Sequence, residues 1–499
     1  MDQQFQEIVQ QQLADLSQSL SYLWGEYSLL IAIVLLLFLE ILRKKDHSLL
    51  FILLAMGGLL TNLFFQGFDT NTLLFEGNLQ KDALSSFGKY LFAGSGIVCL
   101  LFLLVERGRK QVQDKGAEYP LILLGLILGL NFLSMSLNLL YLYLSLEVVS
   151  ICSYILAAWQ DRGSQQAESA LKYIIFGATA SGIMLYGISW LYGFTGSLNP
   201  ASEGFIAALE QIPIEALILS FSLIFAGFLF KLAAFPFHFW APDIYQGIPY
   251  SLAAFFSVAP KVAAFIALYR FLEIFQDSQF YPYLTFILGS LALLSMTVGN
   301  LLALRQKNIK RLLAFSGIAH SGFMLLALIG LKGLGGPSLL FYLFVYTLLN
   351  LSAFILADHF SELSASEEFI DWGQVGKQGG IAGVLFAIAM AGLIGLPPTA
   401  GFTAKWYVFL SLFEQSQGDS STFWIILLLG AIINTLISLY YYLIPLIYLY
   451  FRKQKLEKIL PQNQSFLLIP AIISIPLLVL GTYGFDKFLN LMQEILWNS

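Results

Sequence analysis

The chain has 499 residues, of which 58% are hydrophobic, 15% aromatic and only 11% charged, with a formal net charge of -5. A soluble fold needs about 25% charged residues, so the solvent for this chain is largely lipid. The two cysteines, Cys99 and Cys152, sit inside apolar runs, which excludes a disulfide scaffold, and no basic stripe exceeds three residues, which excludes a nucleic-acid surface.

The first twenty residues are Gln-rich and carry Asp2, Glu7 and Asp15 with no Lys or Arg. Without the positive flank of a secretory signal, the first apolar run is expected to stay as a span. At ~20 apolar residues per crossing, fourteen spans follow in chain order. They cover 22–43, 49–66, 83–105, 119–136, 138–159, 167–193, 213–246, 250–275, 280–303, 308–330, 336–359, 380–415, 422–450 and 463–488. The connections between them are too short to hold a soluble catalytic domain.

Alternation of the loops sorts the cations by side. Loops after odd-numbered spans take Arg43, Lys44, Lys45, Arg107, Arg109, Lys110, Lys115, Arg162, Lys172, Arg305, Lys307, Lys310, Arg311, Lys377, Arg452, Lys453, Lys455 and Lys458. The other side takes only Lys81, Lys89, Arg270, Lys332 and Lys487. The positive-inside rule then puts both termini on the non-cytoplasmic side.

Lys231, Lys261 and Lys405 fit neither set, and they stand within apolar stretches, as does Glu147 in YLYLSLEVVSICSY. Each ionisable group at the bilayer centre costs ~2.5 to 3.5 kcal/mol on insertion scales, so the four must face the bundle interior, pair, or line water. Structural ion pairing is the plain alternative, but three lysines exceed one glutamate. Burial disfavours the charged form of a lysine, and such groups can load and release a proton.

Two spans are too long and are interrupted. The seventh, IFAGFLFKLAAFPFHFWAPDIYQGIPY, contains Pro236 and Pro242; the twelfth, GVLFAIAMAGLIGLPPTAGFTAKWYVFLSLF, contains Pro397 and Pro398 among glycines. Both are expected to be discontinuous helices, whose freed backbone groups are tolerated only where protein or water satisfies them. Five spans separate the breaks, so the second unit must be inverted relative to the first, a pattern that points to a transport site. The expected fold is an all-α polytopic membrane protein with inverted five-helix repeats, spans 4–8 against spans 9–13. The corresponding divisions are 1–118, 119–275, 280–450 and a C-terminal span in 451–499.

His320, flanked by small residues in the tenth span, is either a helix contact or a relay. His238, in the seventh-span break, is expected to bond freed backbone, although proton carriage is also open to it. Asp243 is expected to cap the short helix after the break, and Lys307, Lys310 and Arg311 are expected to set topology. Tyr407 and Tyr442 are not distinguished from the many other aromatics.

FKLAAFPFHFWAPDIYQGIP followed by VAPKVAAF, then NIKRLLAFSGIAHSGF and GLIGLPPTAGFTAKWYVF, resembles the antiporter-like membrane subunits of respiratory complex I. Within these it is most similar to the subunit N group of bacterial NADH-quinone oxidoreductases, on the wording FHFWAPDIYQG. The resemblance spans all fourteen expected helices. It implies a mid-membrane charged chain in which Glu147 tunes Lys231, Lys261 is an intermediate carrier and Lys405 is the end nearest the exit or a neighbouring subunit. His320 matches a position that bridges two half-channels. Further implications are a bacterial cytoplasmic (inner) membrane location, a complex with other antiporter-like subunits, and NADH, FMN, iron-sulfur clusters and quinone held elsewhere. No cofactor or metal is expected here, since the chain lacks a cysteine cluster and a G-x-G-x-x-G turn. The alternatives are a subunit of a multisubunit cation/proton antiporter and a non-transporting scaffold held by ion pairs.

Overall fold

The structure is a computed structural model that describes residues 2–42, 48–67, 71–108, 116–159, 164–202, 204–331, 333–373, 380–417, 421–452, 469–470, 472–473, 477–478 and 485–497. Eleven described helices are long and apolar enough to cross a membrane, and Leu49–Phe64 and Ile381–Ile394 are shorter apolar helices. In chain order the main helices are α1 (Asp2–Ser21), α2 (Trp24–Ile41), α3 (Ser48–Phe64), α4 (Ala83–Gly108), α5 (Glu118–Met135), α6 (Leu139–Ala158), α7 (Ser164–Thr195), α8 (Phe205–Leu209) and α9 (Ile214–Lys231). They continue as α10 (Trp240–Gly247), α11 (Tyr250–Glu273), α12 (Tyr281–Ala303), α13 (Ile309–Ile329), α14 (Gly335–Ser364), α15 (Ile381–Ile394), α16 (Ala400–Gln415), α17 (Ser421–Phe451) and α18 (Phe485–Trp497). The first thirteen expected spans coincide with α2 to α7, α9 with α10, α11 to α14, α15 with α16, and α17. The fourteenth, 463–488, lies mostly outside the described residues.

Burial grades the helices from centre to rim. The apolar stretches of α11 and α13 are buried along their whole length and that of α14 is nearly so, whereas α2, α7 and α17 turn most of their side chains outward. A helix that is hydrophobic all round belongs in the core, and α11 and α13 carry Lys261 and His320. The α12–α13 pair packs closely because a side-chain carbon at Gly299 would meet Ala319 N at 2.7 Å, and one at Gly322 would meet Ala292 O at 2.6 Å. Small residues at such crossings let backbones approach.

The segment 67–82, expected as a plain connection, contains a hairpin of β1 (Thr72–Leu74) and β2 (Leu79–Lys81), antiparallel with Thr72 opposite Lys81. α1 is tied to its tip: Ser19 Oγ accepts from Phe75 N at 2.8 Å and Asp15 accepts from Glu76 N at 3.1 Å.

Several charges sorted above as surface cations are buried instead. Lys89 pairs with Glu26 at 2.7 Å, both inside the bundle. Arg270 pairs with Asp82 at 2.6 Å and donates to Ser134 O at 2.8 Å. Lys310 pairs with Glu367 at 2.7 Å and donates to Ile248 O at 3.0 Å, while Arg311, half-buried, pairs with Asp243 at 2.7 Å. Asp243 makes no cap to α10, so its expected role is corrected: it joins α10 to the start of α13. Pairing corrects the hydration expected of these cations and leaves untouched the side to which the alternation of loops sorts them.

Removing one partner of a buried pair strands the other charge, at a cost of about 3–5 kcal/mol. Arg270→Ala is therefore expected to lower sharply the yield and thermal stability of the protein in detergent. Arg270→Met with Asp82→Leu should recover much of that loss, which a thermal melt of both variants checks.

Candidate functional site

The two broken spans supply the frame. α9 ends at Lys231, and the chain passes through a non-helical segment containing Ala233 at φ +51° and a cis Phe235–Pro236 bond before α10 begins at Trp240. Freed groups are satisfied locally, since Trp240 Nε1 donates to Phe230 O at 3.0 Å and Phe235 N donates to Ser295 Oγ at 2.9 Å. Pro236 lies in the gap, but Pro242 lies in the first turn of α10, where a proline lacks no intrahelical partner. Pro397 and Pro398, joined by a cis bond, fall between α15 and α16. The lysines sit on opposite sides of their breaks: Lys231 is the last residue of α9, and Lys405 lies inside α16.

Lys231 is 1% exposed and donates to Ser150 Oγ at 3.0 Å. Glu147 lies on the same α6 face, three residues earlier. It is half-buried, its Oε1 has no hydrogen-bond partner, and no ion pair within 4.0 Å joins it to Lys231. Lys261 follows Pro260 in the middle of α11. It donates to Gly317 O at 2.7 Å and Ser321 Oγ at 3.0 Å. Ser321 in turn donates to Leu232 O at 2.7 Å. A hydrogen-bonded step thus connects the residue after Lys231 with the Lys261 ammonium.

His320, beside Ser321 on α13, bonds Tyr342 Oη through Nδ1 at 2.8 Å and Tyr442 Oη through Nε2 at 3.0 Å. A neutral imidazole donates from one nitrogen and accepts at the other, so one tyrosine gives a hydrogen bond and the other receives one. The Tyr346 ring lies 5.1 Å from the imidazole and 5.9 Å from Lys261 Nζ, centroid to centroid and nitrogen to centroid respectively. A narrow void of about 10 Å³, the space one water needs, is lined by His320, Tyr342, Tyr346, Gly392, Gly401 and Lys405 among others.

Lys405 donates to Leu393 O at 3.2 Å and Ile394 O at 2.8 Å. These carbonyls end α15, so the ammonium sits against the negative end of a half-helix dipole. Such discontinuous termini are where transporters bind ions. His238 is buried, its ring stacked on Phe235 with centroids 5.8 Å apart and tilted against Phe239 at 4.2 Å.

Sequence reasoning missed Ser150, Ser321, Tyr342 and Tyr442. A signal for the first existed. Asn138 caps α6 and Asn308 caps α13, each accepting from a backbone N–H two residues on at 2.8 and 2.9 Å. Twelve residues beyond the caps lie Ser150 and His320, each the polar group on the path to a broken-span lysine. Among the described residues no cluster of three or more His, Cys, Asp or Glu is disposed to hold a metal ion.

Comparison with known proteins identifies the family. Residues 136–435 match the family described as NADH:quinone oxidoreductase/Mrp antiporter, TM. NADH-quinone oxidoreductase subunit N of Anaeromyxobacter sp. (strain Fw109-5) is 36% identical over 389 residues, 74% of either chain. NADH-quinone oxidoreductase subunit N 2 of Sorangium cellulosum (strain So ce56) is 37% identical over 82% of this chain and 83% of its own. A chain of respiratory complex I from Thermus thermophilus with bound aureothin superposes with a TM-score of 0.77 at 29% identity, covering 93% of this chain and 98% of that one. The chain therefore belongs to the NADH:quinone oxidoreductase/Mrp antiporter membrane family, within its subunit N group.

Proposed function

We propose that Glu147, Lys231, Lys261 and Lys405 form a mid-membrane proton-conducting chain, with His320 as the relay between its two halves. The chain is a multi-pass membrane subunit of a bacterial complex I, assembled with other membrane subunits. The observation that carries the proton reading is the succession of buried polar groups between the two breaks: Ser150 to Lys231, Leu232 O to Ser321, Ser321 to Lys261, and His320 beside the void that reaches Lys405. Ion pairs built only for stability would bring Glu147 onto Lys231, and here Lys231 bonds a hydroxyl instead.

In this reading, quinone reduction elsewhere in the complex changes the distance between Glu147 and Lys231. Moving the carboxylate away weakens the hold of the lysine on its proton. The proton then passes by way of water and Lys261 toward Lys405. We place NADH, FMN, iron-sulfur clusters and quinone in other subunits, leaving this chain no redox step. We also assign residues 119–275 and 280–450 as the two inverted half-units, preceded by 1–118 and followed by 451–499. Both termini are placed on the non-cytoplasmic side, on the distribution of loop cations and the alternation of spans. His238 is left as a stacked residue of the break rather than a carrier.

Vesicles holding the intact complex test the reading. Glu147→Gln, with assembly verified, is expected to reduce NADH-driven proton uptake several-fold while Lys261→Ala reduces it further. Undiminished uptake in both would overturn it. Proton exchange driven by an imposed sodium or potassium gradient in the absence of NADH would favour the cation/proton antiporter instead.

A further inference from the structure

A second intramembrane carboxylate–lysine pair lies outside this chain of residues. Glu26 is the third residue of α2 and Lys89 the seventh of α4, and they meet at 2.7 Å with both side chains buried. At 1.5 Å per residue, Lys89 stands about 9 Å below the start of its helix. Asn131 of α5 donates to Glu26 Oε1 at 3.4 Å, and Lys89 Nζ also reaches Met135 Sδ at 3.1 Å. Two acceptors in this cluster are fully buried and receive no hydrogen bond: Glu26 Oε2 and Asn131 Oδ1.

We propose that Glu26, Lys89 and Asn131 hold internal water and act as a proton-exchange site where α2, α4 and α5 meet, beside the buried Lys81 and the Asp82–Arg270 pair. The ligand chemistry follows from the charges. The Lys89 ammonium occupies the place a metal cation would take, so the vacant acceptors call for a small neutral donor, and buried water characteristically fills that role. A purely structural contact between α2 and α4 would be served as well by apolar side chains, which leave no acceptor open.

Proton exchange there conserves charge and atoms. Glu26 Oε2 takes a proton from hydrated proton in the site, becoming a carboxylic acid beside the Lys89 ammonium, and later returns it to that water. The charged groups facing the pair are few. Lys81, at the end of β2, is close enough for Lys89 and Glu26 to act on it: burial lowers its pKa, the Lys89 ammonium lowers it further, and the Glu26 carboxylate opposes them. Lys81 itself donates to Tyr22 O at 2.7 Å. Asp82 and Arg270 pair alongside, and Arg270 lies nine residues after Lys261 on α11. That helix gives the site a rigid link of about 14 Å to the central lysine. The proton-exchange role rests on the function proposed above; the hydration does not.

Radiolytic hydroxyl-radical labelling of the intact complex tests the water, because radicals generated from bound water oxidise the side chains next to it. Met135 is fully buried, as are Met296, Met324 and Met390. Met135 is expected to be oxidised several-fold faster than those three, and Asn131→Leu, which leaves the ion pair intact, should remove the difference. Equal rates in the wild-type complex would overturn the proposal. Infrared difference spectra between two pH values should contain a protonated-carboxyl band that disappears in Glu26→Gln; a hydrated site with no such band overturns the exchange role. Loss of pumping in Lys231→Ala together with a dry Met135 would leave the proposed function standing and remove this one.

Discussion

Complex that carries Lys231→Ala and assembles at the wild-type level is expected to lose NADH-driven proton pumping by about tenfold or more, equivalent to about 1.4 kcal/mol or more in a barrier. The reason lies in what Lys231 does at the end of α9. It stands at the edge of the first break, it is buried, and it offers its proton to Ser150 on the helix that carries Glu147. Two unit charges 4 Å apart interact by about 4 kcal/mol at an effective dielectric of 20. Moving one charge through 100 mV requires about 2.3 kcal/mol. Opening or closing one such pair is thus the right size of event to drive a proton against a membrane potential, and alanine removes the group on which it acts.

Lys231→Arg separates carrier from staple. Arginine keeps a positive charge and can bond Ser150 and Glu147, but it does not deprotonate in a protein. A structural ion pair tolerates arginine; a proton carrier does not. Pumping measured by quenching of a pH-sensitive dye in vesicles, alongside the rate of NADH oxidation, should be impaired in both variants. Full pumping in Lys231→Arg, or in a variant lacking both Lys231 and Lys405, would support the scaffold reading.

The parts of this site that were legible in the sequence were those with a large energetic signature. Lysines in apolar spans are costly enough to stand out, and Pro236, Pro397 and Pro398 mark segments that cannot remain straight helices. The parts that were not legible are cheap or shared. Ser150 and Ser321 look like any small hydroxyl in a span, and Tyr342 and Tyr442 are two of 24 tyrosines. Their roles depend on which helices meet, which a single chain's periodicity does not specify. The burial of Lys89 and Arg270 was not legible for a different reason: their partners, Glu26 and Asp82, lie 63 and 188 residues away in the sequence, so the pairs exist only after folding. The hairpin β1–β2 escaped because strands of three residues carry almost no alternation.

Gly401→Ala, the smallest possible change at the second break, is expected to abolish assembly or to remove pumping in whatever complex forms. A side-chain carbon at Gly401 would overlap Gly392 O and lie 2.8 Å from Gly392 C. Both obstacles are backbone, so no rotamer change relieves them, and α16 must move away from the end of α15. That displacement carries Lys405 off the Leu393 and Ile394 carbonyls, four residues further along α16. It also opens the void shared with His320, because Gly392 and Gly401 both line it. Overpacking of this kind costs about 1–3 kcal/mol where side chains can adjust, and more where they cannot. Gly430→Ala is the matched control. There the added carbon meets Leu293 Cδ1, the free end of a flexible side chain on α12, and the complex should assemble with near-normal pumping. If Gly401→Ala assembled and pumped as Gly430→Ala does, the close approach of α15 and α16 would not be what holds Lys405 in place.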